Sequence, residues 1–198
     1  MNYPNGIKKT NEILNNQHVS YKNRGMNLEK MLDDSNMYYI ETKKAYIYKK
    51  PTPIRLVKVD YKNKKIEEAY FEKPSTTDYN GIYKGKYIDF EAKETNQLKS
   101  FPIRNIHNHQ IEHIKNIFNE GGICFLIVRF TKLNKNYLLM AKDLLNYLNN
   151  NKNSNIPLTY FEEKGYLIKD KFIPSIDYLE VIENIGGIYE KEKWKRKI

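Results

Sequence analysis

The run from Ile123 to Phe130 constrains the fold of this chain more than any other segment. It is almost wholly apolar and directly follows two glycines. Strands that are buried on both faces of a sheet have this pattern, because helices cover both sides. Helical and extended patterns alternate on either side of the run. We therefore expect an α/β fold in which a mixed sheet is flanked by helices.

Hydrophobic spacing predicts the other elements. The predicted strands span 38–50, 54–61, 66–71, 87–93 and 137–141. The predicted helices span about 25–36, 104–119 and 142–149. A last helix is expected to begin at a cap formed by Ser175 or Asp177. Gly186 and Gly187 are expected to stop it after Ile185, because glycine favours the C-terminal end of helices.

The charge is concentrated in one part of the chain. The 198 residues carry a net charge of +10, and the segment 43–65 contains nine Lys or Arg against the single acidic residue Asp60. A hairpin at 54–72 is too polar for a core, so we expect a protruding stalk at about 51–74. Residues 1–22 are predicted to be a flexible arm, 23–188 the folded domain and 189–198 a basic tail. Such a basic surface attracts a polyanion.

Several protein classes are excluded by simple features. No apolar run approaches the roughly 20 residues of a membrane span, and the first residues contain no hydrophobic signal core. With Cys124 as the one cysteine, neither an internal disulfide nor a Cys/His zinc site of four ligands can form. We expect a cytoplasmic protein without a membrane partner.

The segment 87–93 carries the candidate catalytic residues. In a strand its apolar side chains face the core, and Asp89, Glu91 and Lys93 share the other face, about 6.5–7 Å apart. Asp78 lies at the start of a predicted hairpin that could return it to the side of Glu91. Two carboxylates and a backbone carbonyl are hard oxygen ligands for Mg²⁺. Lys93 could then orient or deprotonate water, or stabilise a pentavalent phosphate.

The spacing Asp–x₁₂–Glu–x–Lys of Asp78, Glu91 and Lys93 is the pattern of the PD-(D/E)XK nucleases. A solvated strand face with a cross-strand ion pair explains the same residues without any catalysis. The position of the pattern on a well-formed strand, next to a basic protrusion, favours the nuclease.

Longer segments carry a further resemblance. They include Asn23-Arg24-Gly25-Met26, Ser75-Thr76-Thr77-Asp78-Tyr79-Asn80-Gly81 and His109-Gln110-Ile111-Glu112-His113. These segments resemble the RecU family of Holliday-junction resolvases. The resemblance covers about 21–131, is most specific over 75–95 and returns faintly at 174–178, whereas 132–198 is otherwise poorly matched. It implies a homodimeric endonuclease with a restriction-endonuclease-like fold and a stalk that enters the centre of a four-way junction. It also implies that the protein acts on the RecA recombinase and functions together with the branch-migration machinery.

The resemblance also implies roles for individual residues. Asp78, Glu91 and Lys93 are implied to be catalytic, and Lys93 matches the residue taken to stabilise the transition state. Magnesium, with manganese as a possible substitute, is implied at positions matching Thr76, Asp78, Glu91 and Gln110.

Basic residues in and near the stalk are the candidate DNA contacts. They would contact phosphates without determining the base sequence. The set is Arg24, Lys50, Arg55, Lys58, Lys62, Lys64 and Lys65. For Arg24 a structural ion pair is an equal alternative. Tyr61, Tyr70 and Phe71 could stack on unpaired bases or pack within the hairpin.

Two acidic residues are candidate supporting groups. Glu29, on the first helix, could point at the metal or into solvent. Asp89 could lie behind the metal ligands or form a salt bridge at the strand end. His109 and His113 are interpreted as structural or DNA-facing, since no third zinc ligand follows them.

Taken together, these features predict a Mg²⁺-dependent endonuclease that resolves Holliday junctions by paired nicks during homologous recombination and DNA repair. A non-catalytic junction-binding protein or RecA modulator on the same scaffold is the alternative. A restriction-type nuclease acting on duplex DNA is a third possibility, in which the stalk has no evident role.

Overall fold

The computed structural model describes residues 27–71 and 76–195, with side chains up to Gly186. The predicted arm at 1–22 and the candidate DNA contact Arg24 lie outside the described residues. No helix in the described ranges is long and apolar enough to cross a membrane.

A six-stranded mixed sheet forms the centre of the fold. Two central strands, β5 (Lys86–Thr95) and β7 (Ile123–Phe130), are parallel neighbours, and the other neighbours in this sheet are antiparallel. In spatial order the strands are β1 (Tyr46–Lys49), β4 (Tyr79–Tyr83), β5 (Lys86–Thr95), β7 (Ile123–Phe130), β8 (Lys135–Met140) and β10 (Tyr166–Ile168). The predicted central strand is confirmed, because β7 is buried from Cys124 onward.

In the described part of the chain, five α-helices cover the two faces of this sheet. They are α1 (Leu28–Glu41), α2 (Asn108–Asn119), α3 (Ala141–Asn150), α4 (Leu158–Lys164) and α5 (Tyr178–Lys195). Side chains of β7 alternate between two cores: Phe125 and Ile127 pack with α1 and α5, and Leu126 and Val128 pack with α2, α3 and α4. The two-layered core confirms the predicted sheet flanked by helices.

Several predicted boundaries are wrong. The helix predicted to begin at about 104 begins at Asn108, after a 3-10 turn at Ile103–Asn105. The residues predicted to begin a strand at 38 continue α1 to Glu41, since Tyr39 is fully buried against Tyr178 of α5, with ring centroids 5.3 Å apart. Tertiary packing here outweighs the preference of tyrosine for strands. The last helix is capped by Asp177, as predicted, but continues through Gly186. Glycine within a helix costs only about 1 kcal/mol, and Gly186 does not adopt the positive φ that ends helices.

The predicted hairpin strands are present as β2 (Ile54–Asp60) and β3 (Lys65–Phe71), which pair only with each other in the described part of the chain. Every residue of β3 is exposed. The Asp60 carboxylate accepts hydrogen bonds from the backbone N–H groups of Lys62 and Asn63, at 3.0 and 3.1 Å, and thereby holds the turn. A further small sheet, β6 (Ser100–Pro102) with β9 (Asn155–Pro157), was not predicted.

Candidate active site

The hairpin of β4 and β5 brings two carboxylates together. Its two-residue turn has positive φ at Lys84 and Gly85, 49° and 74°, as tight hairpins require. Tyr79 pairs with Phe90 at the other end of the ladder. One step further along the same register, Asp78 lies opposite Glu91, as the sequence predicts.

The two faces of β5 separate the core from the candidate site. Ile88 and Phe90 are fully buried in the core, and the Phe90 ring stacks on Phe125 with centroids 4.8 Å apart. Asp89 and Glu91 are also fully buried, but they belong to the opposite face. Anchoring of the apolar face therefore fixes the direction in which both carboxylates point.

Glu91 is incompletely hydrogen-bonded. Its Oε1 accepts from Lys93 Nζ at 2.5 Å and from Gln110 Nε2 at 2.7 Å. Its Oε2 is buried and has no hydrogen-bond partner among the described residues. Burial raises the pKa of Glu91 to about 7; the nearby Asp78 carboxyl adds to this increase and the Lys93 ammonium opposes it. The site thus contains a buried oxygen that lacks a cation or a donor.

Asp78 and Lys93 open onto solvent. Both line a cavity of about 310 Å³, together with Glu29 and the first residues of α1. The Ala92 N–H donates to Asp78 Oδ2 at 3.1 Å and so anchors this carboxylate to β5. A phosphate that enters the cavity would meet Asp78 and Lys93, with Glu91 behind them.

Gln110 reaches Glu91 from the first turn of α2. Its Oε1 accepts from the backbone N–H of His107, the cap of α2, at 3.0 Å, while its Nε2 donates to Glu91. These two contacts require the amide to present nitrogen to the carboxylate. Gln110 is therefore in the site, as predicted, but binding a metal through its oxygen would require release of the His107 N–H.

The donor set fits Mg²⁺. No three His, Cys, Asp or Glu side chains come together as ligands in 27–71 or 76–195. Mg²⁺ is commonly held by one or two carboxylates with waters completing its shell, and the unpartnered Oε2 of Glu91 beside Asp78 provides such a pair. Thr76 is exposed, and its hydroxyl accepts from Lys50 Nζ at 3.1 Å.

Glu29 is at the rim of the site. It lines the cavity with Asp78, and its half-exposed carboxylate pairs with Lys49. This placement combines the two interpretations made from sequence, since the side chain is partly solvated and still faces the candidate metal ligands.

The predicted DNA contacts divide into two groups. Five of them are exposed along the hairpin: Arg55, Lys58, Lys62, Lys64 and Lys65. Lys50 instead points inward, with its side chain 14% exposed and its ammonium 2.7 Å from the buried Asp89. Tyr61, Tyr70 and Phe71 are 86%, 60% and 81% exposed, so they do not pack within the hairpin.

Sequence reasoning missed a link between β5 and α1. The Glu94 carboxylate accepts from the N–H of Leu28, the first residue of α1, at 2.7 Å. Arg129 Nε lies 3.8 Å from the same carboxylate. Arg129 is buried, and its occurrence within the apolar run of β7 was the available signal. This link holds the start of α1 beside the cavity.

Comparisons with known proteins show a family match. The family model described as "Recombination protein U", RecU, matches residues 23–184. This match extends well beyond residue 131, into the region 132–184, where the sequence motifs predict a poor match to the family.

Three similar curated relatives carry the name "Holliday junction resolvase RecU". The protein from Pediococcus pentosaceus is 50% identical, over 93% of this chain and 96% of the relative. Those from Streptococcus sanguinis and Streptococcus gordonii are 49% and 46% identical, over 95% and 97% of this chain and 98% and 100% of theirs. The predicted enzyme class agrees with these names. With the family model matching most of its length, the chain belongs to the RecU family.

Proposed function

We propose that this protein is a Mg²⁺-dependent endonuclease that resolves four-way DNA junctions by paired nicks. The observation that carries the proposal is the buried, unpartnered oxygen of Glu91, because Glu91 lies beside Asp78 and Lys93, which both line an open cavity. The names of the relatives give the substrate class.

The residues of the site have distinct tasks. Asp78 and Glu91 would hold the metal, which supplies polarisation of the phosphate and a more acidic bound water. Lys93 places a positive charge beside Glu91, where it can offset charge that develops on the phosphate. Gln110 holds Glu91 in one orientation through a donated hydrogen bond.

The hairpin supports a four-way junction as the substrate. Its exposed lysines can neutralise phosphates, and its exposed aromatic side chains can stack on bases that are unpaired at a crossover. A twofold-symmetric homodimer would place two sites on opposing strands, which accounts for paired nicks. Contact with a recombinase or with the branch-migration machinery remains a prediction from the resemblance.

Cleavage of a synthetic four-way junction tests the proposal. Wild-type protein and Asp78→Ala are compared on the junction and on a matched linear duplex, with and without Mg²⁺. We expect paired nicks only in the junction, only with Mg²⁺ and only with the wild type, and retained junction binding by Asp78→Ala. Binding without cleavage in both Mg²⁺ and Mn²⁺ would support a non-catalytic protein. Site-specific cleavage of the linear duplex would support a restriction-type enzyme.

The role of the hairpin is tested separately by salt dependence. The triple variant Lys62→Ala/Lys64→Ala/Lys65→Ala is compared with a control that removes equal charge elsewhere, Lys132→Ala/Lys152→Ala/Lys169→Ala. The slope of log affinity against log salt is negative, and each lost phosphate contact reduces its magnitude by about 0.9. We expect this loss in the hairpin variant alone, and equal slopes would exclude the hairpin from binding.

A further inference from the structure

Lys50 lies at the root of the hairpin, between β1 and β2, but its side chain is directed into the body of the protein. Its Nζ lies 2.7 Å from Asp89 Oδ2 and 2.6 Å from the Thr77 hydroxyl. The Thr76 hydroxyl and His113 Nε2 are 3.1 and 3.4 Å away. An ammonium has only three protons to donate, so these groups already saturate it.

Asp89 explains why a lysine is needed at this point. Its carboxylate is fully buried, and it also accepts from the Tyr87 hydroxyl at 2.9 Å and from the Thr77 hydroxyl. A buried carboxylate is strongly unfavourable unless a cation compensates it. Lys50, whose side chain is 14% exposed, provides a cation in contact with Asp89.

The same lysine holds the segment that carries Asp78. Its side chain binds the hydroxyls of Thr76 and Thr77, which directly precede Asp78. Its backbone N–H donates to the carbonyl oxygen of Asp78 at 2.8 Å. On the far side, the N–H of Ala92 holds the Asp78 carboxylate. Asp78 is thus fixed from two directions, one of which depends on Lys50.

We propose that Lys50 and Asp89 form a buried positioning pair that holds the segment 76–78 in the geometry needed for metal binding. In this arrangement Lys50 acts on cleavage and does not contact a DNA phosphate. The inference rests on the proposed function. A shift of Asp78 by about 1 Å would be enough to lower the rate substantially.

The test separates binding, metal affinity and cleavage. Lys50→Met and Asp89→Asn are compared with wild type and with Lys135→Ala, which removes a lysine from an exposed ion pair with Glu162. Three quantities are measured: junction affinity without divalent metal, cleavage rate at saturating junction across Mg²⁺ concentrations, and Mn²⁺ binding to the DNA-free protein by electron paramagnetic resonance.

We expect Lys50→Met and Asp89→Asn to cleave about 10- to 100-fold more slowly, as loss of groups that support metal ligands does. They should require more Mg²⁺ for half-maximal rate, bind Mn²⁺ more weakly and keep their junction affinity. Lys50→Arg, which retains the charge, should recover part of the rate. Lys135→Ala should match wild type in all three measurements.

The opposite pattern would overturn the proposal. If Lys50→Met weakens junction binding and leaves the saturated rate and the Mg²⁺ dependence unchanged, Lys50 is a phosphate contact. Each single variant leaves one buried charge of the pair without its partner and could therefore fail to fold. In that case the double variant Lys50→Met/Asp89→Asn is measured, because it removes both charges together. Wild-type Mg²⁺ dependence in that double variant would also overturn the proposal. Asp78→Ala is run in parallel, and if it cleaves like the wild type, the proposed function itself fails.

Discussion

Asp89 and Glu91 lie on the same face of one strand and are equally buried, yet their surroundings differ. Both oxygens of Asp89 accept hydrogen bonds, from Lys50, Tyr87 and Thr77. Glu91 uses one oxygen for two donors and leaves the other without a partner in the described residues. Both oxygens of Asp89 are therefore hydrogen-bonded within the protein, whereas one oxygen of Glu91 has no such partner among the described residues.

The helix that faces the strand contacts both carboxylates, so the difference arises from Lys50, Tyr87 and Thr77, which donate to Asp89. Gln110 and His113 are three residues apart on α2, and such residues share one helix face. His113 contacts Asp89 at 3.3 Å, and Gln110 contacts Glu91. Buried polar groups in proteins are normally satisfied, so an exception indicates strain, function or an absent ion. The comparison supports a structural role for Asp89 and the proposed metal-binding role for Glu91.

The largest effect is expected for Glu91→Gln. Removing the carboxylate that would bind the metal should lower single-turnover cleavage by about 1000-fold or more. Because burial raises the pKa of Glu91 from 4.5 to about 7, the metal-free protein loses stability as the pH rises through this range, and the loss is complete above about pH 7. The variant should therefore be at least as stable as wild type at pH 8 in thermal unfolding without metal.

Glu162→Gln, on the exposed surface, is the matched control and should change neither quantity. A Glu91→Gln protein that cleaves within about ten-fold of wild type, an energy difference of only 1.4 kcal/mol, would remove the distinction between the two carboxylates.

The next largest effect is expected for Lys93→Ala. Loss of the ammonium beside Glu91 should lower the rate at saturating junction by about 100- to 1000-fold, the range seen when one group that stabilises transition-state charge is removed. Junction affinity should change little, because a single charge is lost. Gel-shift and cleavage assays on the same preparation measure both. A loss of affinity that accounts for the whole loss of activity would assign Lys93 to DNA binding.

Strand periodicity made much of the site predictable. The alternation along 87–93 correctly placed the two buried carboxylates opposite the core residues, and the turn residues before β5 correctly returned Asp78 to Glu91. Both are local properties, because side chains of a strand alternate whatever packs against them. The resemblance then selected Gln110 from many polar residues.

The role of Lys50 was not predictable in the same way. It is one of nine basic residues within 43–65, and only the tertiary contact with Asp89 separates it from the exposed lysines. The end of the last helix was mispredicted for a related reason. Glycine stops a helix through a left-handed conformation, and no local pattern shows whether the chain adopts it.

A smaller effect is expected for Gln110→Ala, which removes a contact from Glu91 without removing a ligand charge. The variant also loses the hydrogen bond to the His107 N–H, so the free energy of unfolding should fall by about 1 kcal/mol. Cleavage should slow by about 10- to 100-fold. Gln97→Ala, an exposed glutamine before β6, is the control. Unchanged cleavage with reduced stability would limit Gln110 to a capping role.

The smallest effect on cleavage is expected at a third buried carboxylate, Asp177, which resembles Asp89 in being fully paired but lies at the start of α5. It accepts from the Tyr39 hydroxyl at 2.9 Å and pairs with Lys171 at 3.0 Å and Lys44 at 3.7 Å. Burial opposes its ionisation, but the hydrogen bonds from Lys171 and Tyr39 and the Lys44 charge outweigh burial and lower the pKa.

A carboxylate whose pKa is lower in the folded state stabilises the protein above its unfolded pKa of about 3.9. That stability is lost as the pH falls through the folded value. Asp177→Asn should therefore reduce the free energy of unfolding at pH 7 by about 1–3 kcal/mol, and the difference from wild type should shrink below about pH 4. Denaturant unfolding across pH measures this. Cleavage at saturating junction should be unchanged, because neither Asp177 nor its partners Tyr39, Lys44 and Lys171 line the cavity of the candidate site. If fully folded Asp177→Asn cleaves more slowly than wild type, a carboxylate whose hydrogen bonds are all made within the protein can still affect the candidate site from a distance.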